Sequence, residues 1–454
     1  MASQATTTDG LAVPAAAVEP AAVPAASRWT MAQRFGFRLC FVYFSLYVLS
    51  NQMLGGILPF INFVTPLEEM KWIQGIIAWV AKHLFHISYT LVTMETGSGD
   101  RTFDWVMNFC ILALAILAAV VWSIVDRKRE NYSSMYKWFR VAIRFALAAQ
   151  MFGYGFAKAF PLQMPFPSLN RLLEPYGNFS PMGVLWYSIG ASQAYEIFAG
   201  CAETLGGLFL IFPRTTTFGA MICLADMTQV FLLNMTYDVP VKLLSFNLIL
   251  FSLFLLAPDA KRLGDVLFFN RTAPPAVPRP LFRRGWANRT ALIAQIAFGA
   301  LLVGANVYGS VQGISEYGWK VPQPVLYGIW DVKQFSVDGQ ERPPLLTDTE
   351  RWRRVVIESF ASTMSSLTVH GMDDALHGYS VAINATAKTL VLTKRGDKKW
   401  NASFTFERIG PTELVLDGTM DNHKIHSRLE QLDLTKFNLI SRGFHWVQER
   451  GFNR

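Results

Sequence analysis

The sequence predicts a membrane all-α bundle of about seven transmembrane helices plus an interfacial helix, followed by a C-terminal all-β barrel or sandwich domain. Three observations lead there. The 454 residues are 52% hydrophobic and only 16% charged, against about 25% charged in an ordinary soluble chain. Apolar runs long enough to cross a bilayer recur through the first two thirds of the chain. The last 140 or so residues change texture to short alternating strands separated by Gly, Asn and Asp.

Residues 1–27 are rich in Ala, Pro and Thr and carry no base. Pro14, Glu19, Pro20 and Pro24 interrupt the apolar part, so a disordered tail is expected over residues 1–33 rather than a signal peptide. Arg28, Arg34 and Arg38 precede a first span at about 37–61. Over residues 66–94, Trp72, Ile76, Trp79, His83 and His86 recur at helical spacing among Glu68, Glu69, Lys71 and Lys82. An amphipathic helix lying on the bilayer fits this pattern, with a pair of short spans as the alternative.

A turn at 96–100 leads to a second span at about 103–125 and, after DRKREN, to a third at about 141–160. Pro161, Pro165, Pro167, Pro175 and Pro181 stiffen the next loop. That loop is expected to cap the bundle mouth, with Phe166 and Tyr176 lying on it and the β domain above. Further spans follow at about 183–211, 216–236 and 241–257, then a basic, Pro-rich linker over 258–290 and a seventh span at about 291–311.

With the N-terminus in the cytoplasm, sixteen Lys and Arg fall in inside loops and five in outside loops. That bias predicts a cytoplasmic N-terminus and an extracytoplasmic domain over 312–454, periplasmic in a bacterium with an inner membrane. The net charge of +8 is explained by this loop bias, so no nucleic-acid partner is inferred and the partner is the lipid bilayer. The four cysteines, Cys40, Cys110, Cys201 and Cys223, all lie in apolar runs with no C-x-x-C, which argues against disulfides and a dithiol relay.

Charges inside spans are costly and mark function by default. Arg144, Lys158, Glu196, Glu203 and Asp226 are such charges. Gln150, Tyr154 and Lys158 are spaced four apart and share a helix face, as do Glu196 and Glu203 at seven apart. The expected interhelical pairs are Lys158–Glu196 and Arg144–Glu203, with Tyr154 and Gln150 as hydrogen-bond partners. Such pairs either pin helix register or form a site for the head group of a quinone or polar lipid, with the acids exchanging protons. Gly190, Gly200, Gly206 and Gly207 permit close helix approach under both readings.

GYGFAKAF around Lys158, YEIFAGCAETLGGLFLIFPRTTTFGA across the fourth and fifth spans, and YDVPVKL before the sixth resemble the DoxX/DoxD-like family of bacterial membrane proteins over about residues 135–265. The resemblance implies a four-helix core within a 34–311 helical domain, in the bacterial inner membrane. It also implies association with membrane redox assemblies, one of which contains a thiosulfate–quinone oxidoreductase subunit. Quinone and redox partner proteins are the cofactor and partners it suggests.

About eight strands are expected between residues 327 and 431, closed by a short element near LDLTKFNLISRG. Gly328 and Trp330, as G-x-W on the first strand, resemble the lipocalin start motif. This supports a second reading, a membrane-anchored scaffold or carrier whose β domain binds an apolar ligand or a partner protein. His83 and His86 are three apart on the expected helix, but no carboxylate pair stands beside them; His423 and His426 fall on opposite strand faces. No metal site is therefore expected. Phosphate-loop, dinucleotide, nucleophile-elbow and H-E-x-x-H motifs do not occur, so any cofactor of an enzyme built on this chain would dissolve in the membrane or come with a partner.

Overall fold

The computed structural model describes residues 28–59, 65–276, 280–394 and 396–453. Residues 1–27, most of the expected disordered tail, lie outside the described residues, as do 60 and 61 of the expected first span. The first described helix begins at Met31, before the expected tail boundary of 33. Helix α1 runs Met31–Ser50, and its start is set by a capping box in which Thr30 and Gln33 exchange backbone-to-side-chain hydrogen bonds. A short α2 follows at Met53–Ile57, so the first expected span breaks after Ser50.

The amphipathic segment folds only in part. Helix α3 covers Lys71–His83, and the backbone at His86 turns left-handed (φ 55°), which excludes the expected continuation to 94. Ile77 and Ala81 are buried, while Trp72, Ile76 and Trp79 point out. An outward apolar stripe of this kind suits a helix lying in a membrane interface.

Helices α4 (Thr102–Val125), α5 (Ser133–Ala159), α6 (Leu169–Leu173), α7 (Pro181–Gly190), α8 (Gln193–Ile211), α9 (Thr216–Thr236), α10 (Lys242–Leu256), α11 (Ala260–Leu267) and α12 (Gly285–Glu316) continue the chain. Among the described residues, five segments are long and apolar enough to cross a membrane: α4, α8, α9, α10 with α11, and α12. The expectation of about seven is met for five. Helices α1 and α5 carry Arg34, Arg38, Lys137, Arg140, Arg144 and Lys158, which lower their apolarity. The linker expected over 258–290 contains helix α11, and Asp259 before it is buried, accepting from Thr217 Oγ1 at 2.8 Å.

The fourth span is two helices. Helix α7 stops at Gly190 and α8 starts at Gln193. The cap segment passes so close that a Cβ at Gly190 would lie 2.4 Å from the Pro165 carbonyl oxygen. One straight rod through this point would collide with the loop.

The C-terminal region is a closed antiparallel barrel. Strands β1 (Gly328–Val337), β2 (Gln340–Glu341), β3 (Trp352–Ala361), β4 (Met364–Gly371), β5 (Leu376–Asn384), β6 (Thr389–Lys394), β7 (Asp397–Arg408), β8 (Glu413–Met420) and β9 (His423–Gln431) pair in sequence order, and β1 closes on β9 through Trp330↔Gln431 to Val337↔Ile425. Strand β2 is a two-residue extension of the β1 hairpin, so eight strands form the wall. This settles the barrel-or-sandwich alternative. The alternating inward positions include Trp330, Phe335, Trp352, Phe404, Leu414 and Leu429, all buried. Eight strands leave an interior that side chains can fill.

The cap over 161–181 holds bundle and barrel together. Leu169 is buried with Ile329 and Val356, two positions that face out of the barrel. Glu358 accepts from Leu169 N at 2.8 Å and Asn170 Nδ2 at 2.7 Å, and His370 Nε2 bonds Asn170 Oδ1 at 2.9 Å. Tyr176, expected on the bundle mouth, is instead 74% exposed, and Phe166 is also exposed; Met164 and Leu169 make the seal.

Candidate functional site

Helices α5 and α8 run antiparallel at backbone contact. A Cβ at Gly200 would fall 2.4 Å from Ala159 N and 2.5 Å from Gly155 O, and one at Gly155 would fall 2.5 Å from Thr204 Oγ1. These glycines set the register, and the register decides the ion pairs.

Lys158 Nζ lies 2.5 Å from Glu203 Oε1, with both side chains buried. The expected partner Glu196 lies two helical turns away, about 10 Å along α8. It instead accepts from Met164 N of the cap at 2.9 Å. The expected Arg144–Glu203 pair is likewise absent. Arg144 donates to Ile211 O at 3.1 Å, about two turns beyond Glu203 along α8, and to Gln295 Oε1 of α12. Both pairings fail for one reason: the cap and α7 take up residues that were assigned to the top of a single fourth span.

Around the Lys158–Glu203 pair stand acceptors without partners. Glu203 Oε2, Thr204 Oγ1 and Asp226 Oδ2 are buried with no hydrogen bond, as is Glu196 Oε2. Helix α9 packs on α8 with Cys223 against Gly206, which brings Asp226 within electrostatic range of Glu203 and Lys158. Glu196 too is within electrostatic range of Lys158, so three acids and one base share this part of the bundle, and unsatisfied buried polar atoms are uncommon enough to need a reason. The Lys158 ammonium also lies 5.8 Å from the Tyr154 ring centroid, while Tyr154 OH accepts from Gln52 Nε2 at 2.9 Å. Gln150 is buried beside Gly56, where a Cβ would meet its Nε2 at 2.7 Å. It belongs to the α2–α5 contact rather than to the charge cluster.

Tyr154 also lines a cavity of about 490 Å³ at the barrel end of the bundle, together with Tyr47, Glu68, Arg101, Asp104 and Asn108. Arg101 bridges Asp104 at 2.7 Å and Glu68 at 3.6 Å. Burial, with the Asp104 charge second, raises the Glu68 carboxyl to about 7, against the lowering pull of Arg101. Deeper, Tyr43 OH bonds both Asn108 Oδ1 at 2.9 Å and Asn247 Oδ1 at 3.0 Å. This polar lining escaped the sequence reading, because lone Asn and Tyr in apolar runs carry no spacing signal and the turn bearing Arg101 joins Glu68 only in three dimensions.

The histidines make no metal set. His83 Nδ1 bonds Trp79 O at 2.9 Å, and His423 and His426 each bond a different carboxylate, Asp338 and Asp417, at 2.6 Å. Among the described residues no group of three or more His, Cys, Asp or Glu is placed to hold a metal ion, and the four cysteines are free.

Fold and site together define a helical protein, with five helices among the described residues long and apolar enough to cross a membrane, that carries an eight-stranded barrel joined to the bundle through the cap. Through a segment of 119 residues, 32% identical, the chain belongs to the same family as the uncharacterized protein YwoB of Bacillus subtilis (strain 168); the segment is 26% of this chain and 75% of that protein. No family model matches the chain, and no solved structure matches it.

Proposed function

We propose that this chain is a DoxX-like protein of the bacterial inner membrane in which α1 and α5 join the five apolar segments to make seven spans. The N-terminus is cytoplasmic and the barrel extracytoplasmic. The protein acts as a redox-associated subunit, and the bundle holds the head group of a quinone or polar lipid at Lys158, Glu203 and Asp226. Electrons come from a partner protein, since the chain carries no cofactor motif of its own.

One observation carries this reading. A buried ammonium is satisfied by one carboxylate oxygen, while a second carboxylate oxygen, a hydroxyl and a second acid stand open around it. A pure register pin would close on itself. Here the open acceptors are able to take hydrogen bonds from, and exchange protons with, a ligand. The test is quinone titration of protein purified from membranes, with extraction of bound small molecules. Wild type is expected to retain quinone or a polar lipid, with Lys158→Ala and Glu203→Gln weakening it. No retained ligand, together with unchanged titration of both variants, removes the reading.

The second reading, a membrane-anchored scaffold, is favoured by the side-chain-filled barrel and by its attachment through Glu358. A filled barrel suits presentation of an outer surface to a partner protein better than storage of an apolar ligand.

A further inference from the structure

At the end of the bundle away from the barrel, Arg140 and Arg144 stand one turn apart on α5, close enough for the Arg140 charge to act on Arg144. Arg144 is 4% exposed. Its Nε and the Arg140 Nη1 are buried with no hydrogen-bond partner, and among the described residues neither side chain makes an ion pair. Two guanidiniums held together without a carboxylate repel each other and lack the counter-charge that buried cations ordinarily have. The arrangement calls for an anion.

Beside them an apolar groove of about 980 Å³ opens between α1, α5 and α12, with Phe44, Leu49, Trp138, Phe145 and Phe298 among its walls. The groove and the arginines share two links. Gln295, which lines the groove, accepts from Arg144, and the Arg144 guanidinium lies 5.1 Å from the centroid of Phe145, another wall residue. Along α12 the walls run from Trp286 to Phe298. That stretch rises about 18 Å, close to the roughly 15 Å hydrocarbon depth of one leaflet. Trp138 and Phe282 pack edge to face at 5.4 Å and line the groove with Trp286; aromatic side chains of this kind are common at the head-group level of a bilayer. Arg283, Arg284 and Arg289 add positive charge there.

We propose that Arg140, Arg144 and this groove bind one anionic phospholipid, with its phosphate at the two guanidiniums and an acyl chain along the groove. Guanidiniums recognise phosphate oxygens in pairs. A neutral prenylated quinone would fill the groove and leave both cations unanswered. This site is separate from the Lys158 cluster and stands or falls apart from it.

The test uses the full-length protein in nanodiscs of phosphatidylcholine with and without phosphatidylglycerol, read by lipid mass spectrometry after gentle delipidation and by thermal melting. Retention of phosphatidylglycerol over phosphatidylcholine and a higher melting temperature in its presence are expected. The double variant Arg140→Gln, Arg144→Gln should lower that preference on the order of tenfold or more. Ala142→Trp, which fills the groove and leaves both arginines, should lower retention as well. Millimolar inorganic phosphate should not displace the lipid. Equal retention of the two lipids, retention of neutral lipid or quinone alone, or displacement by free phosphate overturns the proposal. Should both variants fail to fold, the wild-type preference decides, and no preference for phosphatidylglycerol overturns it.

Discussion

Lys158 Nζ and Glu203 Oε1 meet at 2.5 Å across a helix interface closed by Gly155 and Gly200. Both side chains are buried, so neither charge has much water to fall back on. Removing one partner strands the other, at a cost of about 3–5 kcal/mol, whereas replacing both with apolar groups of similar volume is often neutral. Lys158→Met and Glu203→Leu alone should each lower thermal stability markedly, and the double variant should recover most of the loss. Melting of the four proteins as a double-mutant cycle checks this; additive losses would mean that the pair is not coupled.

The register itself rests on glycine. Gly200→Ala places a methyl 2.4 Å from Ala159 N, a backbone atom that cannot rotate away. The helices must part, which should cost about 1–3 kcal/mol or more and open the Lys158–Glu203 distance. Gly304→Ala on α12 meets nothing within 4 Å and serves as the control that should melt like wild type.

Glu68 makes stability depend on pH. Its carboxyl sits near 7 in the folded protein, raised chiefly by burial, and near the ordinary 4.3 when unfolded. Below about 4.3 both states hold the proton and there is no penalty. Between about 4.3 and 7 the unfolded state loses its proton first, so stability falls as pH rises, and above 7 the penalty is complete. After allowance for partial contact with solvent the effect is on the order of 1–2 kcal/mol. Glu68→Gln should flatten the decline between pH 4.5 and 7, measured as melting temperature against pH. A parallel decline in the variant would assign the effect to another group.

Glu358 ties the barrel to the cap by accepting from Leu169 N and Asn170 Nδ2. It is 4% exposed, so Glu358→Ala leaves Leu169 N without an acceptor, at a cost of about 1–3 kcal/mol, and leaves Asn170 Nδ2 only the longer bond to Thr368 Oγ1 at 3.3 Å. The expected result is faster hydrogen exchange and proteolysis within residues 161–173, with the barrel strands still protected. Loss of protection throughout the barrel would show instead that Glu358 supports the barrel fold.

Much of this architecture was readable from one dimension. The eight strand segments fall where alternation and turn residues place them, because a strand's in-and-out pattern is local. The cap was visible in its prolines. Less was legible where a helix ends without a polar signal. The break between Gly190 and Gln193 lies inside an apolar run, and the loop that causes it is distant in sequence. Hydropathy reads such a run as a single rod. Glu196, Glu203 and Asp226 stand out in the sequence as acids within apolar runs, yet the partners expected for Glu196 and Glu203 differ from those in the structure.

By itself the sequence determined which charges enter the apolar helices and which segments alternate as strands. Composition and periodicity depend on neighbours along the chain, so they survive without coordinates. Only the tertiary structure decided that Lys158 meets Glu203 rather than Glu196, that Arg144 turns to Gln295 and Ile211, and that Glu68 joins Arg101 at one cavity. Those outcomes depend on how far one helix slides against another, and a slide of seven residues leaves the same face of α8 toward α5 while exchanging the carboxylate that faces the ammonium.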